Sequence, residues 1–126
     1  MVSWKNPDEL SSFKELCSDT HRADLKTLMS GEHSAERVAD YKVAMSSGLS
    51  YCFASKAVDD EILSKLQALA DEAELSAKFR ELYNGAVINT GEKRLVLHQL
   101  CRGQLGDPVI ADGVDKHEFY THEQTK

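Results

Sequence analysis

Three basic side chains follow one another at four-residue spacing: Arg94, His98 and Arg102. If residues 88–102 form a turn that leads into a helix, side chains four residues apart lie on one face. The opposite face would be apolar and would carry Val96, Leu97, Leu100 and Cys101. Such a basic row can bind an anionic ligand, pair with carboxylates of a neighbouring domain, or be solvated, and all three interpretations stay open at this point.

His98 and Cys101 lie three residues apart and, with His117 and His122, offer soft metal ligands. A zinc site needs four protein ligands, or three and a water molecule, and the sequence has no second ligand pair at finger-like spacing. A cysteine–histidine nucleophile needs an accessible thiol beside a cation, whereas Cys101 falls beside the predicted apolar face. We therefore expect neither a metal site nor cysteine catalysis.

Other polar patterns have structural interpretations. The acidic run at 59–61 is a candidate for acid–base chemistry, but we interpret it as the first turn of a helix, where the helix dipole favours negative charge. The sequence has no glycine-rich phosphate loop of the Walker or dinucleotide type. Tyr51 and Phe53 lack basic neighbours, so we expect core side chains rather than a base-stacking platform.

Local patterns predict the elements that must position these residues. Asn6 is a predicted N-cap, with Pro7 at the first helical position and Glu9 placed for a capping box. Apolar spacing predicts helices at 10–17, 22–29 and 34–40. Alternation at 41–45 and 49–53, around Ser46-Ser47-Gly48, predicts a β-hairpin that must pack on helices or extend a sheet.

The second half of the sequence is more strongly helical. One predicted helix begins at Asp59, and a second ends at Asn84-Gly85. After residue 102 we expect a loop at 103–107, a brief strand at 109–111, a turn at Asp112-Gly113 and a helix over 115–124. The predicted fold class is α+β, a mainly α-helical segment with one small antiparallel β-hairpin.

Composition limits the class of protein. The chain of 126 residues is 41% apolar and 29% charged, which fits one compact domain. Its net charge of −6 disfavours nucleic acid as a partner. No apolar run approaches the roughly 20 residues of a membrane span, and the amino end is too polar for a signal peptide, so we expect a cytoplasmic protein and no membrane partner. Three scattered cysteines, Cys17, Cys52 and Cys101, suit reduced core thiols.

A set of residues at fixed offsets surrounds the basic row: Asn84, Gly85, Ile88, Asn89, Glu92, Arg94, Val96, Leu97, His98 and Arg102. This arrangement resembles a segment near the amino end of the glucose-6-phosphate isomerase family. Residues 108–113, Pro-Val-Ile-Ala-Asp-Gly, are similar to the Pro-Ile-x-x-Asp-Gly that follows in that family at the same distance. Gly91, Leu95 and Cys101 depart from the family pattern but leave its charged positions intact.

The resemblance implies that the parent protein interconverts glucose 6-phosphate and fructose 6-phosphate in glycolysis and gluconeogenesis. It implies an enediolate intermediate, no metal or organic cofactor, a homodimer, and two sugar-isomerase-type α/β domains that would follow Lys126. The family's phosphate loops, glutamate base and ring-opening histidine and lysine have no matching positions here. We therefore assign no catalytic, cofactor-binding or metal residue, and expect residues 1–126 to be a single amino-terminal segment that is inactive alone.

Two interpretations of the basic row follow. In the first, Arg94, His98 and Arg102 hydrogen-bond into the catalytic domains of the same protein. In the second, the chain is a free-standing cytosolic interaction module that binds a protein through its hairpin edge or this basic face. A free-standing domain buries its apolar faces internally, whereas part of a longer protein leaves an apolar patch or a sheet edge exposed.

Overall fold

The computed structural model describes residues 2–89, 91–102 and 107–126. Within these ranges lie six α-helices, three short 3-10 turns and three two-stranded antiparallel strand pairs. The chain divides into two compact units, one formed by Asn6–Leu69 and the other by Met1–Lys5 together with Ala70–Lys126. The predicted α+β class is confirmed, but the prediction of one hairpin is wrong because two further strand pairs are present.

The predicted capping box lies at the start of the first unit. The backbone N–H of Asn6 donates to Glu9 Oε2 at 2.8 Å, and residues Pro7–Glu9 form a 3-10 turn. The turn does not continue into the next helix, because Leu10 is extended (φ −82°, ψ 136°) and buried. Helix α1 spans Ser11–Ser18, so the predicted helix exists but begins after its expected cap.

Two short helices follow α1. Helix α2 spans Leu25–Leu28 and α3 spans Ser34–Asp40, as predicted for 34–40. The Asp24 carboxylate accepts hydrogen bonds from the Lys26 backbone N–H at 3.1 Å and from Thr27 Oγ1 at 2.5 Å. Because Asp24 caps the helix, α2 is shorter than the predicted 22–29.

The predicted β-hairpin is confirmed. Strand β1, Lys42–Ala44, pairs antiparallel with β2, Ser50–Cys52, and Val43 lies opposite Tyr51. The expectation that Tyr51 belongs to the core is wrong: its side chain is 52% exposed. Its ring stacks on Phe53, with 6.2 Å between ring centroids, and the residues of both strands of the hairpin are exposed.

The two longest predicted helices are also present. Helix α4 spans Asp60–Glu72 and α5 spans Leu75–Tyr83. The Asp59 Oδ1 atom accepts the Ile62 backbone N–H at 3.0 Å, which makes Asp59 the N-cap of α4. The chain leaves α5 through Gly85, whose φ of +80° is the left-handed conformation that glycine favours.

The last part of the chain contains the remaining strands and helix α6. Strand β3, Val87–Asn89, pairs with β4, Arg94–Leu95, and β5, Ile110–Ala111, pairs with β6, Val114–Asp115. The predicted turn at Asp112-Gly113 is confirmed, with φ values of +55° and +73° that are typical of a type I′ hairpin turn. Helix α6 spans Lys116–Gln124, and Asp115 caps it by accepting the His117 backbone N–H at 2.8 Å. Of the predicted loop at 103–107, only Asp107 lies among the described residues.

The buried apolar set is small. In the described ranges it consists of Leu10, Ala54, Leu100 and Val109. The prediction of core thiols is wrong, because Cys17, Cys52 and Cys101 are all exposed and unpaired. No helix in the described part of the chain is long and apolar enough to cross a membrane.

Candidate functional site

The basic row does not lie on an α-helix, so this prediction is wrong. Arg94 belongs to strand β4, where it pairs with Asn89, and Leu95 pairs with Val87. The chain reverses through Lys93, which has a φ of +53°. The three residues that follow Arg94 are all apolar, and such a run fits an extended segment as well as a helix. The segment is extended here because Leu95 pairs with Val87.

The three basic side chains are separated by this change of structure. His98 and Arg102 are the first and last residues of a 3-10 turn. In a 3-10 helix, side chains four residues apart point about 120° away from each other around the axis. Arg94 is 76% exposed in its side chain and lies 3.7 Å from a carboxylate oxygen of Glu92. His98 and Arg102 are exposed as well. The residues therefore share one segment but do not form a single row.

Neutral side chains hold the 3-10 turn in place. Leu100 is 3% exposed, and Gln99 Nε2 approaches the carbonyl oxygens of Leu82 and Tyr83 at 3.4 and 3.5 Å. From the other side, Gln124 Nε2 donates to the Cys101 carbonyl oxygen at 2.8 Å. The turn is thereby fixed to the end of α5 and to α6, and its basic side chains remain at the surface.

Five charged residues of the Asn6–Leu69 unit form a connected group that the sequence analysis did not identify. They are Asp19, His21, Asp59, Glu61 and Lys65, and are called the His21 cluster below. His21 Nε2 lies 2.6 Å from Asp59 Oδ2 and 4.0 Å from Glu61 Oε2. Lys65 Nζ donates to Asp19 Oδ2 and to Glu61 Oε1, each at 2.6 Å. The His21 backbone N–H donates to Asp19 Oδ1 at 2.8 Å, which closes the contacts into a ring.

These contacts change the acidity of the groups involved. The hydrogen bond from Lys65 lowers the pKa of Asp19, and the bond from the Ile62 backbone N–H, followed by that from His21, lowers the pKa of Asp59. The hydrogen bond to Asp59 raises the pKa of His21 above its ordinary value of 6.5. Hydrogen bonds to Asp19 and then Glu61 raise the pKa of Lys65. The charged forms of Asp19, His21, Asp59 and Lys65 are thereby favoured, as expected for an ion-pair network.

A second polar centre of this unit surrounds Arg37, which is only 7% exposed. Its guanidinium donates to three carbonyl oxygens, those of Ala54 at 3.0 Å, Lys56 at 3.1 Å and Val58 at 2.7 Å. It also lies over the Tyr41 ring, 3.9 Å from the centroid. Arg37 thus holds the segment between β2 and α4. No local pattern predicts these contacts, because they join a basic residue of the 34–40 helix to carbonyl groups 17 to 21 residues further along.

The described residues contain neither the ligand geometry of a metal site nor a free cation at the groove beside the His21 cluster. No three histidine, cysteine, aspartate or glutamate side chains within the described ranges are arranged to hold a metal ion. A surface groove of about 360 Å³ lies between α1 and α4 and is partly lined by Glu15, Glu61 and Lys65. Because Lys65 already bonds two carboxylates, an anionic ligand gains little there. We therefore interpret the His21 cluster and Arg37 as structural.

Comparison with known proteins connects these features to a family. Residues 52–122 match the family model described as phosphoglucose isomerase. A glucose-6-phosphate isomerase from Treponema denticola is 45% identical over 130 residues, covering 99% of this chain and 25% of that protein. One from Borreliella afzelii is 37% identical over 131 residues, covering 100% and 23%. One from Pseudoalteromonas atlantica is 41% identical over 68 residues, covering 54% and 12%.

The chain belongs to the phosphoglucose isomerase family, which confirms the resemblance carried by residues 84–113. It spans about a quarter of the length of the first two of these relatives. This coverage fits the expectation that the sequence is part of a longer enzyme. The three relatives share one enzyme name, so none of them supports the alternative of a free-standing interaction module.

Proposed function

We propose that this chain is the amino-terminal segment of an isomerase that interconverts glucose 6-phosphate and fructose 6-phosphate. The observation that carries the proposal is the alignment of nearly the whole chain with a quarter of a glucose-6-phosphate isomerase. The reaction moves a proton between neighbouring carbons through an enediolate after ring opening. The groups that perform it belong to the rest of the enzyme, so the segment alone is inactive and needs no cofactor.

The amount of exposed surface supports this proposal. The chain exposes 9537 Å². Two separate compact units of equal size that share its mass of 14.0 kDa would expose only about 8,100 Å². An excess therefore remains even when the two units are counted as fully separate bodies. It is expected for a segment whose apolar faces pack against another part of the polypeptide.

Exposed apolar side chains occur in both units. On the β1–β2 hairpin, Val43, Met45 and Leu49 are 55%, 56% and 65% exposed. In the other unit, Leu75 and Phe79 are 58% and 57% exposed and line an apolar groove of about 190 Å³. Isolated exposed apolar residues are ordinary, whereas grouped ones mark contact surfaces.

The partner we propose for these faces is the catalytic part of the same protein. Residues 1–126 then form one amino-terminal segment of it, and Arg94, His98 and Arg102 contribute polar contacts at the edge of that interface. We further propose that the complete enzyme is a cytoplasmic homodimer, as the family resemblance implies. Its substrate is the sugar phosphate, and neither nucleic acid nor membrane is a partner.

A genetic experiment tests this function. The reading frame that contains the codon for Lys126 is sequenced to its stop codon and expressed in a bacterial strain that lacks its own glucose-6-phosphate isomerase. We expect the complete frame to restore growth that depends on this step, and the 126-residue segment alone not to restore it. A frame that ends at Lys126, or a complete product that expresses well without restoring growth, would contradict the proposal.

A further inference from the structure

The His21 cluster connects two parts of the chain that are distant in sequence. His21 lies in the segment between α1 and α2, and its partner Asp59 caps α4, 38 residues further along. The Lys65–Asp19 bond joins the same two elements and spans 46 residues. Both bonds link this segment to the first two turns of α4 and are tertiary contacts.

The charges that face His21 favour its protonated form. From its own segment and from α4, the charged groups near it are Asp19, Arg22, Asp59, Glu61 and Lys65. The Arg22 guanidinium turns away to the carbonyl oxygens of Asp19 and His21, at 2.8 and 2.6 Å. Three carboxylates of the cluster then face one ammonium group, so the cluster has a net charge of about −2 with neutral His21 and about −1 once His21 gains a proton, which favours the protonated form. The positive end of the α4 dipole opposes this effect, but it is already engaged by the Asp59 cap.

The Lys65–Asp19 and His21–Asp59 bonds differ in whether their charges change near neutral pH. Lys65 and Asp19 keep their charges throughout the neutral range, because the pKa of the lysine is raised and that of the aspartate is lowered. Histidine is the side chain whose charge changes between about pH 5 and 8. The His21–Asp59 bond is therefore the pH-sensitive part, while Lys65–Asp19 holds the same elements together at any of these pH values.

We propose that His21 and Asp59 form a pH-sensitive clasp that fastens the segment between α1 and α2 to the start of α4 when the imidazole is protonated, and loosens it when the proton is lost. This inference is independent of the enzymatic function proposed above. It concerns only contacts inside the Asn6–Leu69 unit.

The direction of the pH effect follows from linkage. His21 has a folded pKa above its unfolded value, so its stabilising effect is complete below about pH 6.5 and is lost as the pH rises through the folded pKa. Asp59 has a lowered pKa, so its effect is present above about pH 4 and is lost as the pH falls through its folded value. The clasp therefore operates from weakly acidic to neutral pH and weakens at alkaline pH.

The first test needs no variant. The imidazole resonances of the 126-residue chain are followed by NMR from pH 5 to 9, with His21→Gln used only to assign the signal. We expect the His21 midpoint to lie above 6.5, and backbone amides of residues 19–24 to shift with the same midpoint. A His21 midpoint at or below 6.5, or amides that do not follow it, would overturn the proposal.

A double-mutant cycle supplies the second test. His21→Gln, Asp59→Asn and the double variant are melted at pH 6 and pH 9; asparagine keeps the ability to cap α4. We expect the two substitutions to be coupled at pH 6, with the melting temperatures non-additive, and independent at pH 9. Coupling of equal size at both values would refute the clasp.

His33 and Glu36 provide the matched control. His33 Nδ1 lies 2.9 Å from Glu36 Oε2, but the two are three residues apart and their side chains are 87% and 72% exposed. His33→Gln therefore removes a similar histidine–carboxylate contact without breaking a tertiary link. We expect it to leave the amides of residues 19–24 and their pH midpoint unchanged, and a matching change in those amides would contradict the assignment of the midpoint to His21.

Discussion

Val109 packs against Gly85 so closely that a Cβ atom on the glycine would clash with Val109 Cγ1. The contact joins the exit of α5 to the start of β5, which lies 25 residues further along. Val109 is 2% exposed and is one of the buried apolar residues of its unit. Gly85 thus serves two purposes, since it adopts a positive φ and also leaves room for a core side chain.

Replacing Gly85 with alanine separates these two roles when it is compared with Gly113. Both glycines have positive φ, +80° and +73°, but a Cβ atom on Gly113 would meet nothing within 4 Å. We expect Gly113→Ala to cost about 1 kcal/mol of backbone strain, and Gly85→Ala to cost about 1–3 kcal/mol more because of overpacking. Urea unfolding of the two variants measures the difference. Equal losses would show that the Val109 contact carries no packing constraint.

Arg37 offers a second test, because its donors satisfy three carbonyl oxygens in the segment from Ala54 to Val58. Arg37→Met keeps the volume but removes all three bonds, and we expect a loss of about 3 kcal/mol in the free energy of unfolding. Arg80 lies exposed on α5, so Arg80→Met is the matched control and should change stability by less than about 0.5 kcal/mol.

Hydrogen exchange locates the Arg37 effect. In Arg37→Met the amides of residues 54–58 should lose protection more than those of α5. Uniform loss of protection throughout the chain, or a melting temperature equal to that of the Arg80 control, would mean that Arg37 does not hold this segment.

The sequence predicted helices better than it predicted the site. Helix-end signals such as the Asp59 cap and the Asn84-Gly85 stop depend on contacts between residues close in sequence. The two helices that begin and end at these signals are present. The predicted basic row at 94–102 is wrong because side chains four residues apart share a face only on a continuous helix. Here Leu95 pairs with Val87 in a strand, so no continuous helix forms. The His21 cluster depends on tertiary contacts that no local period encodes.

The predicted burial of the thiols and of Tyr51 is wrong for a different reason. Each has apolar neighbours in sequence, which predicts burial on an amphipathic element. The faces that carry Cys17, Cys52 and Tyr51 are nevertheless exposed in this chain. Apolar patterning reports what a residue contacts in the complete protein, so the disagreement is expected if the covering surface belongs to another part of the polypeptide.

The proposed interface makes a prediction about Arg94 that depends on context. In the 126-residue chain the Arg94 side chain is exposed, and its ion pair with Glu92 is a surface contact, so Arg94→Ala should leave the melting temperature nearly unchanged. In the complete enzyme the same substitution should lower both the melting temperature and the turnover, because it removes a contact with the catalytic part. Unchanged melting and turnover in the complete enzyme would refute this docking role.

Leu100→Ala is the positive control for that comparison. Leu100 is buried within this chain, so its truncation should cost about 2–5 kcal/mol in the isolated segment and in the complete enzyme alike. The contrast between the two positions separates internal packing from docking.

We propose that this chain supplies part of a glucose-6-phosphate isomerase and none of its catalytic groups. The most direct measurement is the conversion of fructose 6-phosphate to glucose 6-phosphate, followed by a coupled dehydrogenase assay, with the purified 126-residue chain and the purified product of the complete reading frame at equal molar concentration. We predict steady turnover by the complete enzyme and none above the buffer rate by the segment. Turnover by the segment alone, or none by a folded complete product, would refute the proposal that the catalytic groups lie outside this segment.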